Sequence, residues 1–193
     1  MARPKVTEQR AAEILDAFEA SVAKYGVEGA TLERVAEHAG LARALIRHHI
    51  GNRDALLDAL VERVVQRGSR MAETFASNLP TDNRMHALLD GLFDSKFSEA
   101  SEMRVISALL IAMNQRPQLA TILRDWTIEF IGWLRDELAQ AFPKASPQTV
   151  SAVASGIATL YFTIDSIAAM GDMEDYRREC GEAAQLLLES LTK

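Results

Sequence analysis

The stretch over residues 31–53 constrains the fold of this chain more than any other. It opens with Thr31, a good N-cap because its hydroxyl can accept a hydrogen bond from an unpaired amide of the first helical turn. Apolar residues follow at helical spacing, and Gly40 then offers a position that tolerates positive φ and a tight reversal. The pair Ile46 and Ile50, four residues apart, indicates a second short helix. The stretch therefore predicts two helices joined by a tight turn.

The charge of this stretch differs from that of the whole chain. From His38 to Arg53 there are three arginines, three histidines and no acidic residue, although the formal net charge of the protein is −6. Residues 1–54 hold eight Lys or Arg and eight Asp or Glu, whereas residues 55–193 hold thirteen and nineteen. A basic face on a helix–turn–helix, carried by an acidic protein, is typical of specific DNA binding. We expect residues 1–54 to form a helix-turn-helix DNA-binding domain.

Helical periodicity continues through the remaining residues, and alternating strand-like patterns are nearly missing. It predicts a first helix over residues 8–25 with Thr7 as its N-cap, and a fourth from Arg53 to about Ser77. No apolar run approaches the ~20 residues that span a bilayer, and the basic N-terminus has no apolar stretch behind it. The single cysteine, Cys180, excludes an internal disulfide framework and suits a reducing compartment. The expected fold is all-α with about nine helices, in a cytoplasmic protein without a membrane partner.

The predicted helix over residues 147–170 is apolar almost all the way round and rich in small residues. A helix without a polar face is buried on several sides. Together with the last helix it is a candidate for a four-helix bundle across a two-fold axis, which would make the protein a homodimer through its last two helices. The alternative is that this helix is the central helix of a monomer.

From roughly Glu8 to Leu57 the sequence resembles the TetR family of transcriptional regulators. The resemblance rests on a threonine-led helix, an Ala-Gly turn, a short recognition helix and the residues that follow it. The matching positions are Thr31, Ala39, Gly40, residues 42–48, His49, Ile50, Arg53, Asp54 and Leu56. Three positions depart from the family pattern. Ala42 replaces a capping serine, Arg47 replaces a tyrosine that touches phosphate, and Ile50 replaces phenylalanine.

The resemblance and the helical register together predict which residues touch DNA. Arg43 and Arg47 lie one turn apart and either suits the O6 and N7 atoms of guanine, while Leu45 suits a thymine methyl group. Thr31, His49 and Arg53 are expected at phosphates, by resemblance and because they sit at helix ends. The predicted DNA-binding residues are Thr31, Arg43, Ala44, Leu45, Arg47, His48, His49 and Arg53. The alternative for Arg43, Arg47 and His48 is an ordinary solvated helix face.

An effector pocket is implied by the family and by the large second domain, residues 55–193, which would be a helical effector-binding and dimerisation domain. Asp165 interrupts an apolar run and must be paired, hydrated or functional. Aromatic side chains around it would suit a cationic ligand. The candidate effector-binding residues are Met103, Met113, Asn114, Trp126, Phe130, Tyr161 and Asp165. The alternatives are that Asp165 lies at the dimer seam or pairs with an arginine such as Arg104 or Arg124, and that Met103, Met113 and Asn114 are plain core.

Residues 162–171 also resemble the late-helix stretch of the choline-responsive repressors of betaine synthesis, with Ser166 in place of a glycine. Catalysis finds little support, because His48 and His49 have no nucleophile or carboxylate pair near them in the sequence. No run has metal-ligand spacing, and no cofactor is expected. The prediction is a repressor that a small-molecule effector releases from a pseudo-palindromic DNA operator. The alternatives are a constitutive DNA-binding or nucleoid-type protein and, less favoured, an all-helical enzyme.

Overall fold

A computed structural model describes residues 3–94, 100–167, 171 and 173–192, with the side chains of residues 3–8, 100 and 165–167 left out. Within these residues the chain forms nine α-helices and no strand, as the sequence predicts. The helices are α1 (Arg3–Gly29), α2 (Leu32–Ala39), α3 (Arg43–His49), α4 (Arg53–Asn78), α5 (Arg84–Leu92), α6 (Ala100–Ala112), α7 (Pro117–Ala141), α8 (Pro147–Ile167) and α9 (Glu174–Glu189). None of the helices in the described part of the chain is long and apolar enough to cross a membrane.

The chain divides into two compact units that do not follow the sequence order. The first contains Met1–Ser69 and Arg104–Leu123, and the second contains Arg70–Met103 and Arg124–Lys193. Helices α4, α6 and α7 therefore contribute residues to both units. The first unit includes the helix–turn–helix together with most of α6 and the start of α7. The division between residues 54 and 55 stays a prediction.

In the first unit, α1 supplies a stripe of fully buried side chains, among them Ile14 and Phe18. Two arginines of α4, Arg63 and Arg67, form ion pairs with carboxylates of α1. Arg63 Nη1 lies 2.5 Å from Asp16 Oδ1, and Arg67 Nη2 lies 2.7 Å from Glu19 Oε1. These ion pairs tie the first half of α4 to α1.

The start of α1 differs from the prediction. The helix begins at Arg3, so Thr7 lies inside it and is not its N-cap. Pro4 stands in the first turn, where proline fits because the amide it lacks has no partner within the helix. At the other end the backbone leaves the helical conformation at Gly26, which has φ 71° and ψ 172°. The α1 register is thus interrupted at a glycine that the sequence marks as its end.

The second unit is built around one apolar core from α5, α7, α8 and α9. Its fully buried members include Leu89, Leu92, Leu134, Ile157 and Ile164. Cys180 of α9 is buried in the same core, as a small apolar side chain would be. This core uses the inner faces of α8 and α9 and leaves their outer faces to solvent in the single chain.

A polar node joins three helices of the second unit. Arg84 of α5 places Nε and Nη2 2.8 Å from the two carboxylate oxygens of Glu137 in α7. The same guanidinium donates to the carbonyls of Ala76, at the end of α4, and Leu79, each at 3.2 Å. The hydrogen bonds from Arg84 lower the pKa of Glu137 below its usual range, against the opposing effect of burial. Arg84 thereby fixes the end of α4 relative to α5 and α7.

Candidate nucleic-acid interface

Helix α2 is fixed at both ends by the residues that the sequence singles out. Thr31 Oγ1 accepts a hydrogen bond from the backbone amide of Arg34 at 3.4 Å. At the other end Gly40 adopts a left-handed conformation with φ 63°, and the amide of Leu41 then reaches the carbonyl of Ala36 at 2.9 Å. Only a residue that tolerates positive φ closes this turn without strain. The predicted turn at Gly40 is confirmed.

Helix α3 follows this turn and divides sharply into a buried and an exposed side. Ile46 is 0% exposed, which anchors the helix on the first unit. The exposed side chains of α3 are Arg43, Ala44, Leu45, Arg47 and His48. Leu45 keeps 44% of its surface exposed, so α3 presents an apolar side chain as well as two arginines. Ala42 caps α3 without a side-chain hydrogen bond, as its alanine predicts.

His49 is half-buried at the C-terminal end of α3. Its Nδ1 is buried and has no hydrogen-bond partner among the described residues, and its ring lies 5.2 Å from that of His48 in an edge-on arrangement. A buried N–H without an acceptor costs about 1–3 kcal/mol. The imidazole of His49 thus lacks a hydrogen-bond partner at Nδ1 within the described residues.

Arg53, the other predicted phosphate contact, is engaged within the protein. Its guanidinium donates to the backbone carbonyl of Val27, to that of Ala30 at 3.4 Å and to Glu28 Oε2 at 3.3 Å. These bonds tie the start of α4 to the last turn of α1. Only 25% of its side chain is exposed. A contact between Arg53 and phosphate stays a prediction, while its role in holding the helix–turn–helix is visible in the structure.

Three residues at the junction of α1 and α2 were not predicted from the sequence to form a cluster. The guanidinium of Arg34 lies 4.5 Å from the ring centre of Tyr25, and Lys24 Nζ lies 5.0 Å from the same ring. A hydrogen bond with Tyr25 raises the pKa of Lys24. No spacing rule joins α1 to α2 across Gly26 and Gly29, so the sequence carried no signal for this cluster.

A further ion pair connects the start of α4 to the segment between α6 and α7. Arg116 Nη1 lies 2.8 Å from Asp54 Oδ1, and both residues belong to the first unit. Asp54 is directly beside Arg53, whose guanidinium holds α1. The start of α4 is therefore tethered to α1 on one side and to residue 116 on the other.

The candidate effector residues fall into two groups. Phe130 of α7 stacks on Tyr161 of α8 with ring centres 5.5 Å apart, and Trp133 and Phe162 complete a cluster of four rings. Met103, Trp126, Phe130 and Tyr161 all belong to the second unit, and Met113 and Asn114 to the first. Asp165 lies in α8, but its side chain is outside the described residues.

The second unit also has an open cavity of about 430 Å³ between α5 and α9. Arg177, Phe93 and Gly181 are among the residues that line it, and the predicted effector residues are not. Sequence reasoning missed this cavity because its lining comes from the exposed sides of two helices. No cluster of three or more His, Cys, Asp or Glu suited to a metal ion occurs among the side chains that the structure describes.

Comparison with known proteins agrees with this geometry. Residues 14–60 match the family model described as bacterial regulatory proteins, tetR family. The HTH-type transcriptional regulator BetI of Paraburkholderia xenovorans is 26% identical over 157 residues, which cover 79% of this chain and 78% of that protein. BetI of Stenotrophomonas maltophilia is 25% identical over 126 residues, 64% of each chain, so this match spans slightly less than two thirds of that relative.

A TetR transcription regulator of known structure from Haloarcula marismortui shares the fold. The TM-score is 0.77 at 16% sequence identity, and the match covers 95% of this chain and 98% of that chain. The matched family and relatives are regulators of transcription and not enzymes, in agreement with the sequence prediction. Residues 14–60 therefore form a helix–turn–helix DNA-binding domain of the tetR family, in a chain that is weakly related to the regulators named BetI.

Proposed function

We propose that this protein is a cytoplasmic repressor that binds a pseudo-palindromic operator as a homodimer and leaves it when a small effector binds. The observation that carries the proposal is the exposed side of α3. Arg43, Leu45 and Arg47 project from a helix whose opposite side is fixed by a fully buried isoleucine. Such a helix can enter a major groove without rearrangement, with arginine on guanine and leucine on a thymine methyl group.

Phosphate contacts set the register of a DNA-binding helix, and base contacts set its sequence preference. Thr31, at the N-terminus of α2, and His49, at the C-terminal end of α3, are the residues we assign to phosphates. Ala44 and His48 are exposed on α3 and complete the surface. Arg53 supports this surface because it ties the start of α4 to the end of α1. A contact between Arg53 itself and phosphate is part of the proposal.

The proposed dimer uses the outer faces of α8 and α9. On α8 the exposed positions carry small side chains, among them Ser151, Ala152 and Ser155, which allow close approach of a second helix. On α9 Leu186 is 67% exposed, so its apolar side chain is available for contact with a second copy. Two copies related by a two-fold axis would present two α3 helices to half-sites about one helical turn or slightly more apart.

The proposed effector site lies near the cluster of four rings in the second unit. Tyr161 and Phe130 would form an aromatic wall that suits a cationic ligand, with Asp165 as its counter-charge. Trp126 and Met103 are further candidates in the same unit, whereas Met113 and Asn114 belong to the first unit and stay predictions from the sequence. The resemblance to the choline-responsive group supports a cation of this kind.

Effector binding would act on DNA through α4, which has residues in both units. The ion pair between Asp54 and Arg116 supports this route, because it links the start of α4 to the segment that joins α6 and α7. Coupling of this kind is reciprocal, so an effector found in a thermal-shift screen would bind free and operator-bound protein with different affinities. Equal affinities would refute the coupling.

The experiment that tests DNA recognition begins with selection of bound duplexes from a random pool. A pseudo-palindrome should emerge, and Arg43→Ala should weaken binding to it by ~1–3 kcal/mol and relax the preference at one position of each half-site. Arg135→Ala is the matched control, because it removes an exposed arginine of the second unit. Binding by Arg43→Ala with wild-type affinity and preference, at fixed salt, would refute the assignment of α3.

A further inference from the structure

We propose that Lys24 and Arg34, held by the ring of Tyr25, form a phosphate-binding site on the DNA backbone outside the major-groove contacts of α3. This inference rests on the proposed function and extends its surface to α1 and α2. The site is non-specific in sequence, because it binds the backbone and not the bases.

The first argument is the absence of counter-charges. Residues 9–54 contain six cations with described side chains. Two of them are paired: Arg10 with Glu13 and Arg53 with Glu28. The other four have no carboxylate within 4.0 Å among the described residues, and they are Lys24, Arg34, Arg43 and Arg47. Among the described residues, Lys24 and Arg34 thus have no acidic partner, and the same is true of Arg43 and Arg47 in α3.

The second argument is that contacts within the protein hold the two cationic side chains in place. Arg34 Nη1 donates to the carbonyl of Gly29 at 2.7 Å while its guanidinium lies over the Tyr25 ring. Gly29 makes room for this arrangement, since a Cβ there would lie 2.8 Å from Tyr25 Cβ. Two like charges beside one ring repel each other, and an anion between or beside them relieves that repulsion. Groups already held in place lose little freedom when that anion binds.

The third argument is position in the helix–turn–helix. Arg34 lies in the first turn of α2, directly after the Thr31 cap. The first helix of such a motif crosses the DNA backbone, and the N-terminus of a helix favours negative charge. Tyr25 is 44% exposed, so the cluster is open to solvent at this end of α2. A DNA phosphate fits this charge, this exposure and this position.

The test compares the salt dependence of operator binding in the full-length protein and in three variants. Lys24→Gln and Arg34→Gln each remove one cation of the site, and Lys144→Gln removes an exposed lysine of the second unit as a control. Each phosphate contact adds about 0.9 to the slope of log K against log salt, so each site variant of a dimer should lower that slope by about 1.8. Its affinity loss should be similar for operator and random duplex, and the control should match wild type.

The inference and the proposed function fail in different ways. If wild-type protein selects no duplex, the proposed function fails. If wild type binds its operator and Lys24→Gln keeps the wild-type affinity and salt slope, the phosphate site is refuted. An effect of Arg34→Gln alone would also refute it, because Arg34 additionally bonds to Gly29 and its loss can disturb α2. Tyr25→Phe keeps the ring face, and it should keep most of the salt slope if the ring positions the cations.

Discussion

The ion pair between Arg84 and Glu137 shows how one side chain can join three helices. The guanidinium binds both carboxylate oxygens and two backbone carbonyls, so four of its five N–H donors are used. Only 14% of the Glu137 side chain is exposed, which limits how well water could replace Arg84. Removal of either partner leaves a poorly solvated group in the second unit, and this is more costly than loss of a surface ion pair.

Glu137→Gln should therefore lower the free energy of unfolding at pH 7 by about 1–3 kcal/mol. The pKa of Glu137 in the folded protein is below its unfolded value, so its contribution is present above the unfolded pKa. It is lost as pH falls through the folded pKa, and the difference between wild type and variant should shrink below about pH 4. Urea unfolding at pH 7 and about pH 3 measures this, with the exposed Glu129→Gln of the same helix as control. A difference that stays the same at both pH values would contradict the assignment.

Single side chains were predictable where the helical period decides their direction. The register of Ile46 and Ile50 predicts that Arg43, Leu45 and Arg47 face outward, and all three are exposed. The partners of Arg53 were not predictable, because they are carbonyls 23 and 26 residues away that no local pattern encodes. The same holds for the cluster around Tyr25, which depends on how α1 and α2 meet.

The presence of the helices was easier to predict from the sequence than the residues at which they begin and end. Apolar residues three and four apart mark α4 and α7 almost to their last turns, since these helices bury one continuous stripe. Ends depend on single backbone conformations that several neighbouring residues could supply. Thr7 has the chemistry of a cap, yet α1 continues through it, and Asn83 adopts φ 54° before α5 without any side-chain cap bond.

Close packing of α4 on α5 depends on a glycine. A Cβ at Gly91 would lie 2.6 Å from Cζ of Phe75, so Gly91→Ala should cost about 1–3 kcal/mol of unfolding free energy through overpacking. Gly132→Ala in α7 is the control, because the nearest atom to its Cβ would be Arg135 Nη2 at 3.8 Å. The control should be neutral or stabilising by up to about 1 kcal/mol, since alanine favours helix. Equal unfolding midpoints in urea for the two variants would contradict this view of the contact.

Neither of the two compact units is a single continuous stretch of the sequence. Charge and motif place a boundary after residue 54, because the basic segment ends there. In the structure, Arg104–Leu123 belongs to the same unit as the helix–turn–helix, although about fifty residues separate them in the chain. The ion pair of Arg116 with Asp54 is one of the bonds within that unit. Such long-range association depends on tertiary packing, which composition and periodicity do not record.

The proposed dimer makes DNA affinity depend on a surface that touches no DNA. Leu186 of α9 is 67% exposed in the single chain, so Leu186→Glu should leave the fold intact. In a two-fold interface the same change would place two carboxylates near each other and remove apolar contact. The variant should sediment as a monomer in analytical ultracentrifugation. It should also bind the operator about a hundredfold or more weakly, because its two half-sites would no longer be filled by linked helices.

Ile111→Glu is the matched control for this change. Ile111 is 74% exposed but lies in α6, within the first unit, so it is outside the proposed interface. It should remain dimeric with wild-type operator affinity, which separates loss of a specific interface from a general effect of added charge. Both variants should melt cooperatively by circular dichroism, since neither changes a buried side chain. A Leu186→Glu protein that stays dimeric and keeps its operator affinity would rule out α9 as the dimer surface, and with it the spacing of half-sites that this surface imposes.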